Sequence, residues 1–491
     1  MIYISKEKVK SIVLALLILS GIAQVGILWI YQSQKLPFNF FSAIFDRNDM
    51  NDTTDIGKRA REEIFIPYRI IVSNGNSAHW LIKEDEDIFF KLWDEAQEYL
   101  KRILSSDNVQ SVNINVWDTL VVRKGFLFEF KAGIKTSVVK WFLNIAGISS
   151  EHPENICKIL ILPDEDINKN NTVYILSEKN LYKYVLPFRR NDMPQEEYNK
   201  IIRQLEGDKS LIQYNIIKEI DPDNTFPFQV SPDVLCVVRG PKYQKIPAVT
   251  YSFGEKSSDI EEIASIILAN EKESYDRYID KNNTLVFKNL NNTYRLYSNG
   301  LLEYRYVPGA GDQEKGDIGS AFEKAYIYIA RIKNYLMNTD AGLSLIKIKD
   351  NNPNYYEFIF EYIVDGYPVY ISNGISNDAE LKEDAGEKKE SGYKNAISIK
   401  VNGSRIIESN WILINFEKTR DSREYIVYFE DMLNEISKKY NIQRLSDFAV
   451  KNITVAYMVD SSTDGKTGPV WMVEKPDGSY YSLHMIQKED D

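Results

Sequence analysis

A run of uncharged residues near the N-terminus constrains this chain more than any other feature of its sequence. Residues 12–31 read IVLALLILSGIAQVGILWIY, in which only Ser20 and Gln24 are clearly polar. As a helix rising about 1.5 Å per residue, this run measures about 30 Å, the thickness of the hydrocarbon core of a bilayer. The sequence therefore predicts a single transmembrane helix at 11–31, because no other run is as long and as apolar.

The charges that precede this run predict its orientation. Residues 1–10 contain three lysines and one glutamate, and the positive-inside rule keeps such a tail in the cytoplasm. We therefore expect a single-pass protein of the cell membrane, with the residues after 31 outside the cell. A cleaved signal peptide is the alternative, since Gly21-Ile22-Ala23 offers the small residues that a signal peptidase prefers. The largely apolar residues that follow favour an uncleaved anchor.

Two pairs of small or polar residues in the anchor suggest a contact face. Ser11 and Ala15 are four residues apart, as are Ser20 and Gln24, so each pair lies on one side of a helix. Such side chains allow transmembrane helices to approach closely and to form hydrogen bonds. Gln24 lies near the middle of the span, where an unpaired amide is costly. We expect these four residues to contact partner helices, although an anchor also tolerates an occasional polar residue.

Composition excludes several classes of function. With 491 residues, 44% hydrophobic and 27% charged, the chain is globular and long enough for about three domains. Its net charge of -11 argues against nucleic-acid binding, which needs a basic face. Two cysteines and three histidines are too few for a disulfide framework or a cysteine-based zinc cluster, and they nearly exclude a histidine-rich metal site. We therefore expect no metal, no cofactor and no nucleic-acid partner.

The pattern of apolar residues predicts an α+β protein with antiparallel sheets and packed helices. Asn299-Gly300 between two strand-like runs is the best hairpin signal, and turns are also predicted at 73–76 and at Asp477-Gly478. The apolar spacing over 87–104 is typical of an amphipathic helix. Further helices are predicted at 195–205, 259–278, 321–337 and 424–440, and further strands at 109–116, 120–122 and 405–416. The predicted organisation is a tether at 32–60, extracellular domains at 61–190, 191–307 and 320–491, a linker at 308–319, and a solvated mixed-charge loop at 377–392.

Several strings imitate ligand-binding motifs, and each lacks a required residue. Asp460 to Gly465 resembles the first half of a calcium loop, but Trp471 occupies the position of the closing glutamate. The string at 164–170 has oxygen ligands but neither the glycine nor the closing glutamate. Gly465-Lys466-Thr467 lacks the leading glycine of a phosphate loop, because position 460 is aspartate. Neither G-x-S-x-G nor H-E-x-x-H occurs in the chain, so the sequence supplies no catalytic motif.

The histidines and cysteines have ordinary explanations. His79 alternates with Trp80 in a predicted strand, which favours a surface position, and His484 follows a terminal strand. Cys157 and Cys236 are 79 residues apart, in different predicted domains. We expect two free buried thiols, while an extracellular location would also permit a disulfide.

Short motifs in a fixed order provide a further clue. After the basic tail, the anchor ending in Leu28-Trp29-Ile30-Tyr31 and the tether come Pro67-Tyr68-Arg69-Ile70, and then four more strings. These are Gly300-Leu301-Leu302-Glu303-Tyr304, Ala321-Phe322-Glu323-Lys324-Ala325, Asp365-Gly366-Tyr367-Pro368-Val369 and Gly468-Pro469-Val470-Trp471. The layout resembles the YycH regulatory proteins of Gram-positive bacteria across most of the chain, although the loop at 377–392 is longer than in that family.

The resemblance implies a non-enzymatic regulator anchored in the membrane. It implies three extracellular domains, the last two of them shared in fold with the sister protein YycI, and a complex with YycI and the sensor histidine kinase of the YycFG (WalRK) cell-wall system. The contacts would be made partly through transmembrane helices. The family has no defined active site, so no catalytic residue is implied. Two alternatives stay open at this point: an anchored extracellular wall hydrolase, and a solute-binding or adhesive surface module.

Overall fold

The computed structural model describes residues 64–488, with gaps. Not described within this range are 85–86, 107–108, 146–151, 164–169, 179, 224, 254–266, 269–273, 308–314, 337–340, 373–392, 404, 443, 445, 447 and 461–463. The predicted tail, anchor and tether lie outside the described residues, and so does the loop at 377–392. Among the helices that are described, none combines the length and the apolarity needed to cross a bilayer.

The described chain is α+β, with many strands and few helices. The helices are α1 (Asp87–Leu104), α2 (Trp117–Leu120), α3 (Thr136–Phe142), α4 (Gln195–Gly207), α5 (Ile217–Ile220), α6 (Ile318–Leu336) and α7 (Phe429–Lys439). The strands up to residue 253 are β1 (Arg69–Ser73), β2 (His79–Ile82), β3 (Gln110–Val112), β4 (Gly125–Lys135), β5 (Asn155–Leu162), β6 (Asn171–Ser177), β7 (Asn180–Leu186), β8 (Asn215–Ile216), β9 (Gln229–Val230), β10 (Leu235–Cys236) and β11 (Tyr243–Phe253).

The remaining strands follow residue 275. They are β12 (Asp276–Ile279), β13 (Leu285–Lys288), β14 (Asn292–Leu296), β15 (Leu301–Tyr306), β16 (Gly342–Lys349), β17 (Tyr356–Val364), β18 (Tyr367–Ser372), β19 (Tyr393–Lys394), β20 (Ile397–Val401), β21 (Ile406–Ile412), β22 (Ile414–Ile426), β23 (Ala449–Val450), β24 (Asn452–Asp460), β25 (Gly465–Thr467), β26 (Pro469–Glu474) and β27 (Tyr480–His484).

The first seven strands form an antiparallel sheet in the order β2-β1-β4-β5-β6-β7-β3, which we call the N-terminal sheet. It is covered on both faces, because the successive β1 residues Ile70 to Ser73 point alternately to opposite faces and yet are all buried. On one face, α1 inserts Trp93 against the rings of Phe128 and Phe130. On the other face, Trp117 belongs to a core cluster with β1, β4 and β5 residues. The sheet therefore has a core on each side.

A larger sheet, here called the C-terminal sheet, contains thirteen strands. Its main order is β12-β13-β14-β15-β21-β20-β17-β18-β24-β26-β27, with β16 beside β17 and β19 beside β18. Nearly all of its pairings are antiparallel, and β18 with β24 is the parallel exception. Helix α6 covers this sheet through Phe322, whose ring contacts those of Phe358 and Phe360. The same Phe322 ring contacts Phe142 of α3, so α6 also joins the two sheets.

Strand pairings cross the predicted boundary at 308–319. β15 pairs with β21 from Leu301↔Ile412 to Arg305↔Glu408, and β11 pairs with β22 over most of its length. Parallel pairing joins β9 to β23 as well. The two regions that the sequence assigns to different extracellular domains thus share sheets. The domain limits themselves stay a prediction.

Helix α1 and three turns confirm the sequence-based predictions most closely. The amphipathic helix at 87–104 is α1. The Asn299-Gly300 hairpin joins β14 to β15, with Gly300 at φ 79°, a left-handed conformation that glycine adopts without a steric penalty. The turn over 73–76 joins β1 to β2 with Gly75 at φ 76°, and Asp477-Gly478 joins β26 to β27 with Gly478 at φ 82°.

Three predicted elements are wrong in type or extent. Residues 114–116 form a 3-10 helix followed by α2, not strands, because Trp117 and Leu120 are buried at helical spacing. The predicted helix at 424–440 begins at Phe429, since the preceding residues extend β22 to its pairing with Tyr243. The described end of the predicted helix at 259–278 belongs to strand β12, which pairs with β13. In each case long-range pairing or burial outweighs local propensity.

Candidate functional site

Two adjoining cavities lie where the N-terminal and C-terminal sheets meet. The first, the polar cavity, has a volume of about 450 Å³ and is lined by charged and tyrosine side chains. The second, the apolar cavity, has a volume of about 330 Å³ and is lined mainly by aliphatic and aromatic side chains. Tyr68, Arg69 and Thr454 line both cavities. We call the two cavities together the inter-sheet cleft.

The shared wall connects the start of β1 to β24. The Tyr68 hydroxyl is hydrogen-bonded to Thr454 Oγ1, and Arg69 Nη2 donates to Asn452 Oδ1 over 3.5 Å. Asn452 and Thr454 are two residues apart in β24 and therefore point to the same face of their strand. The wall thus consists of polar contacts between the two sheets, made by residues that are more than 380 positions apart in sequence.

Arg69 also belongs to a chain of alternating charges around the buried Glu129. Its Nε donates to Glu129 Oε2, Lys158 Nζ lies 2.7 Å from Glu129 Oε1, and Lys158 donates to Asp233 Oδ2 over 2.6 Å. Burial by itself raises the pKa of Glu129, but Arg69 and Lys158 outweigh it and lower that pKa to about 2. Glu129 is therefore ionised at neutral pH, and the positive charges of Arg69 and Lys158 balance the negative charges of Glu129 and Asp233.

A second ion pair crosses the polar cavity. Lys131 Nζ of β4 donates to both carboxylate oxygens of Glu361 in β17, each over 2.5 Å. The same ammonium lies 5.2 Å from the ring centre of Tyr68 and 4.9 Å from that of Tyr370. Burial raises the pKa of Glu361, although Lys131 acts in the opposite direction. The pair is an inter-sheet contact that aromatic rings shield from water.

Three tyrosines form the aromatic side of the polar cavity. The rings of Tyr370, Tyr393 and Tyr480 meet one another edge-on, with centres 5.3 to 5.9 Å apart. Burial raises the pKa of Tyr480, and the neighbouring Tyr370 and Glu474 add to the effect. These phenols are therefore protonated at neutral pH, so they can donate hydrogen bonds. Edge-on packing places the polar rims and the faces of the rings next to one another.

The apolar cavity contains a cysteine whose thiol is unreactive. Trp80, Leu211 and Trp471 are among its walls, and Cys236 lies among them. Burial raises the pKa of Cys236 to about 12, so its thiol is protonated and a poor nucleophile at neutral pH. Both cysteines are free thiols; Cys236 is buried, while Cys157 is only half-buried.

The prediction that His79 lies at the surface is wrong. Its side chain has no exposed area, and the backbone of His79 pairs with β1 on one side and bridges to Tyr214 on the other. Its Nε2 lies 3.0 Å from Glu219 Oε2, and its Nδ1 has no hydrogen-bond partner among the described residues. His484 is exposed at the end of β27. His79 is therefore a buried histidine paired with a carboxylate, and His484 ends an outer strand.

The strings that imitate ligand loops have structural roles where they are described. Gly465–Thr467 is strand β25, and Asp464 Oδ1 accepts a hydrogen bond from the Phe253 amide. In the described part of the chain, no group of histidine, cysteine or acidic side chains has an arrangement that could hold a metal ion. The anchor residues Ser11, Ala15, Ser20 and Gln24, predicted to contact partner helices, lie outside the described residues, and their role stays a prediction.

The charged residues of the cleft were missed by reasoning from the sequence. Glu129 and Glu361 are each the one acid in a five-residue apolar run, FLFEF at 126–130 and FIFEY at 358–362. An isolated charge in such a run is costly to bury unless a partner compensates it. A lone acid in an apolar run is therefore the sequence signal that could have indicated a buried ion pair. The partners themselves come from strands that are distant in sequence, so spacing along the chain does not identify them.

Comparison with known proteins supports the fold and no more. No family model and no curated protein matches this sequence. The crystal structure of YycH from Bacillus subtilis is similar over 87% of this chain and 96% of that chain, with a TM-score of 0.56 and 12% identity. An uncharacterized protein from Eubacterium rectale aligns over 53% of this chain and 86% of that chain, with a TM-score of 0.27 and 13% identity, too distant to carry an argument. The described chain therefore has a fold similar to that of YycH.

Proposed function

We propose that this chain is a non-enzymatic, membrane-anchored regulator of a cell-wall-sensing histidine kinase of the YycFG type. The observation that carries the proposal is the similarity in fold to YycH, which extends over 87% of the chain. The ordered motifs from Pro67-Tyr68-Arg69-Ile70 to Gly468-Pro469-Val470-Trp471 support it independently. In this proposal the partners are the kinase and a YycI-like sister protein, and the bulk of the chain lies outside the cell.

Such a regulator acts by differential contact. A protein that binds two kinase states equally shifts neither, so the contacts must be stronger with one state. In the proposal, Ser20 and Gln24 supply part of that difference through hydrogen bonds within the membrane. Ser11 and Ala15, which are one helical turn apart, are small enough for the partner helix to approach closely. The outer sheets supply the rest of the binding energy.

The anchor contact is tested by replacing Gln24→Leu together with Ser20→Leu. Intramembrane hydrogen bonds contribute about 0.6 to 2 kcal/mol, so association with the kinase and the sister protein should fall roughly three- to thirtyfold. The measurement is site-specific crosslinking in membranes, normalised to the amount of protein. The control is Ile22→Leu with Val25→Leu, which changes neither polarity nor helix length. If the polar-to-leucine variant associates and regulates like the parent, the anchor is only a tether.

The location is tested separately. A reporter fused after Asp491 should be active only outside the cytoplasm, and the protein should stay with membranes after a high-salt wash. Cleavage before Gln24 would release the chain and contradict the anchored form. This outcome is independent of whether the kinase is the partner.

A wall hydrolase is the second candidate, because Glu129 and Glu361 line the same cavity with pKa values displaced in opposite directions. Catalytic acid and base pairs show this difference. The non-enzymatic regulator is nevertheless favoured over the hydrolase, since the oxygens of both carboxylates are already engaged by Arg69, Lys158 and Lys131. Incubation of the full chain with labelled peptidoglycan decides between the two. Release of label that Glu361→Gln abolishes would replace the regulatory proposal.

A further inference from the structure

The inter-sheet cleft has the composition of a ligand site. Small-molecule sites in proteins are concave, have volumes of about 300–1,000 Å³, combine apolar walls with a few polar groups, and often lie between domains. The apolar cavity of about 330 Å³ and the polar cavity of about 450 Å³ share Tyr68, Arg69 and Thr454. A molecule that reaches past this wall meets apolar side chains on one side and tyrosines and charges on the other.

The charges in the cleft favour an anion. Among the described lining residues there are six cations and five acids, whereas the whole chain has a net charge of -11. The cleft thus has one excess positive charge in a molecule that is otherwise acidic. A singly charged carboxylate matches that excess better than a phosphate monoester, which carries about -1.5 to -2 at neutral pH.

Arg69 is the group best placed to receive the anion. It lines both cavities, at the point where the apolar and polar walls meet. Its Nε is used by Glu129 and its Nη2 by Asn452, while its Nη1 forms no hydrogen bond with the described residues. A guanidinium presents donors in a planar fork that suits a carboxylate. The ion pair with Glu129 holds the Arg69 side chain in place before any ligand arrives.

We infer that the inter-sheet cleft binds a small amphipathic carboxylate, with its anionic group at Arg69 and its apolar body in the cavity lined by Trp80, Leu211 and Trp471. Because Trp80 belongs to the N-terminal sheet and Trp471 to the C-terminal sheet, the occupant would bridge the two sheets. As a signal input, this site rests on the proposed regulatory function. Binding itself is measured without any partner, so failure of one is distinguishable from failure of the other.

Equilibrium dialysis of the full chain in lipid nanodiscs tests the inference, with empty nanodiscs as the blank. Two carboxylates represent the two sources of this chemistry: N-acetyl-L-phenylalanine for a peptide end and octanoate for an acyl chain. Their neutral controls are N-acetyl-L-phenylalaninamide and octanamide. At least one carboxylate should bind at one equivalent per chain, about tenfold or more tighter than its amide. The better carboxylate identifies the source.

Two variants locate the binding. Arg69→Gln should reduce the affinity for the carboxylate at least tenfold and bring it to that of the amide. Leu211→Trp, at a half-buried position in the wall of the apolar cavity, should reduce affinity for acid and amide alike, and it replaces no charged residue. Ile279→Trp, on exposed β12 and outside both cavities, should bind like the parent.

The inference is overturned by any of three results. These are no binding of either carboxylate, equal binding of acid and amide, or undiminished binding by Leu211→Trp. If Arg69→Gln fails to fold, the comparison of acid with amide on the parent and the Leu211→Trp variant still decides the matter.

Discussion

At the scale of residues, two buried acids and their counter-charges explain how the cleft is built. Glu129 and Glu361 lie in strands whose other residues are largely apolar, and both are buried. Moving a lone carboxylate into such surroundings costs far more than any one contact returns. Each is therefore matched by a cation from another strand, Arg69 and Lys158 for the first and Lys131 for the second. The charged side chains that define the cleft are thus also necessary for its stability.

Glu129→Gln should change how stability depends on pH. Because the pKa of Glu129 is lowered from 4.5 to about 2 in the folded state, its ionised form stabilises the fold by about 3 kcal/mol above pH 4.5. That contribution is lost as the pH falls from 4.5 towards 2. The variant lacks this acid-dependent loss, so its free energy of unfolding should fall less steeply over the same range.

The measurement is denaturant unfolding of the full chain in detergent at several pH values, followed by tryptophan fluorescence. The variant is also less stable than the parent at pH 7, since Arg69 and Lys158 lose a negative partner. Parallel curves for parent and variant between pH 4.5 and 2 would contradict the assignment of the lowered pKa.

Tyr362→Phe should destabilise the C-terminal sheet by removing one oxygen. Trp411 Nε1 donates to the Tyr362 hydroxyl over 2.7 Å, and that hydroxyl donates to the Ile412 carbonyl over 2.8 Å. The phenylalanine leaves a buried donor and a buried acceptor unpaired, which costs about 1–3 kcal/mol. Thermal unfolding measures the loss. Tyr278→Phe, at an exposed position in β12, is the matched control and should change nothing measurable.

At the scale of elements, helix α6 has the most demanding position. It covers the C-terminal sheet and also meets α3, where Trp141 and Phe142 contact Phe322. Close packing at the start of the helix requires a residue without a side chain. A β-carbon on Gly319 would lie 2.8 Å from Cδ1 of Trp141, closer than packed atoms approach.

Gly319→Ala should therefore destabilise the protein despite the higher helix propensity of alanine. Displacing the Trp141 ring from its contacts costs about 1–3 kcal/mol, the usual effect of overpacking, which exceeds the gain of up to about 1 kcal/mol from propensity. Gly207→Ala at the end of α4 is the control, because a β-carbon there meets no atom within 4 Å. Equal melting temperatures for the two variants would show that α3 and α6 are not closely packed.

At the scale of the whole molecule, the two sheets are held together by buried polar contacts as well as by rings. The pair Lys131–Glu361 is the central one, with both side chains less than a fifth exposed. Breaking one half of such a pair leaves an uncompensated charge, whereas replacing both halves by apolar residues is often nearly neutral.

Lys131→Met and Glu361→Met should each lower the free energy of unfolding by about 3–5 kcal/mol. The double variant should lose much less than the sum of the two. Chemical unfolding of parent, single and double variants completes the cycle. Additive losses would mean that the two side chains do not interact across the cleft.

Periodicity and turn chemistry are local, and the sequence alone determined the features that depend on them. The apolar spacing of α1, the glycines at 75, 300 and 478 that adopt positive φ, and the α+β class follow from interactions within a few residues. The end of β22 and the strand β12 needed the tertiary structure, because their backbone partners are Tyr243 and the residues of β13. The cleft depended on it most. Burial makes the charges of Glu129 and Glu361 significant, and their counter-charges come from other strands. Strand pairing within the N-terminal sheet sets Arg69 and Lys158 beside Glu129, and the packing of the two sheets sets Lys131 beside Glu361.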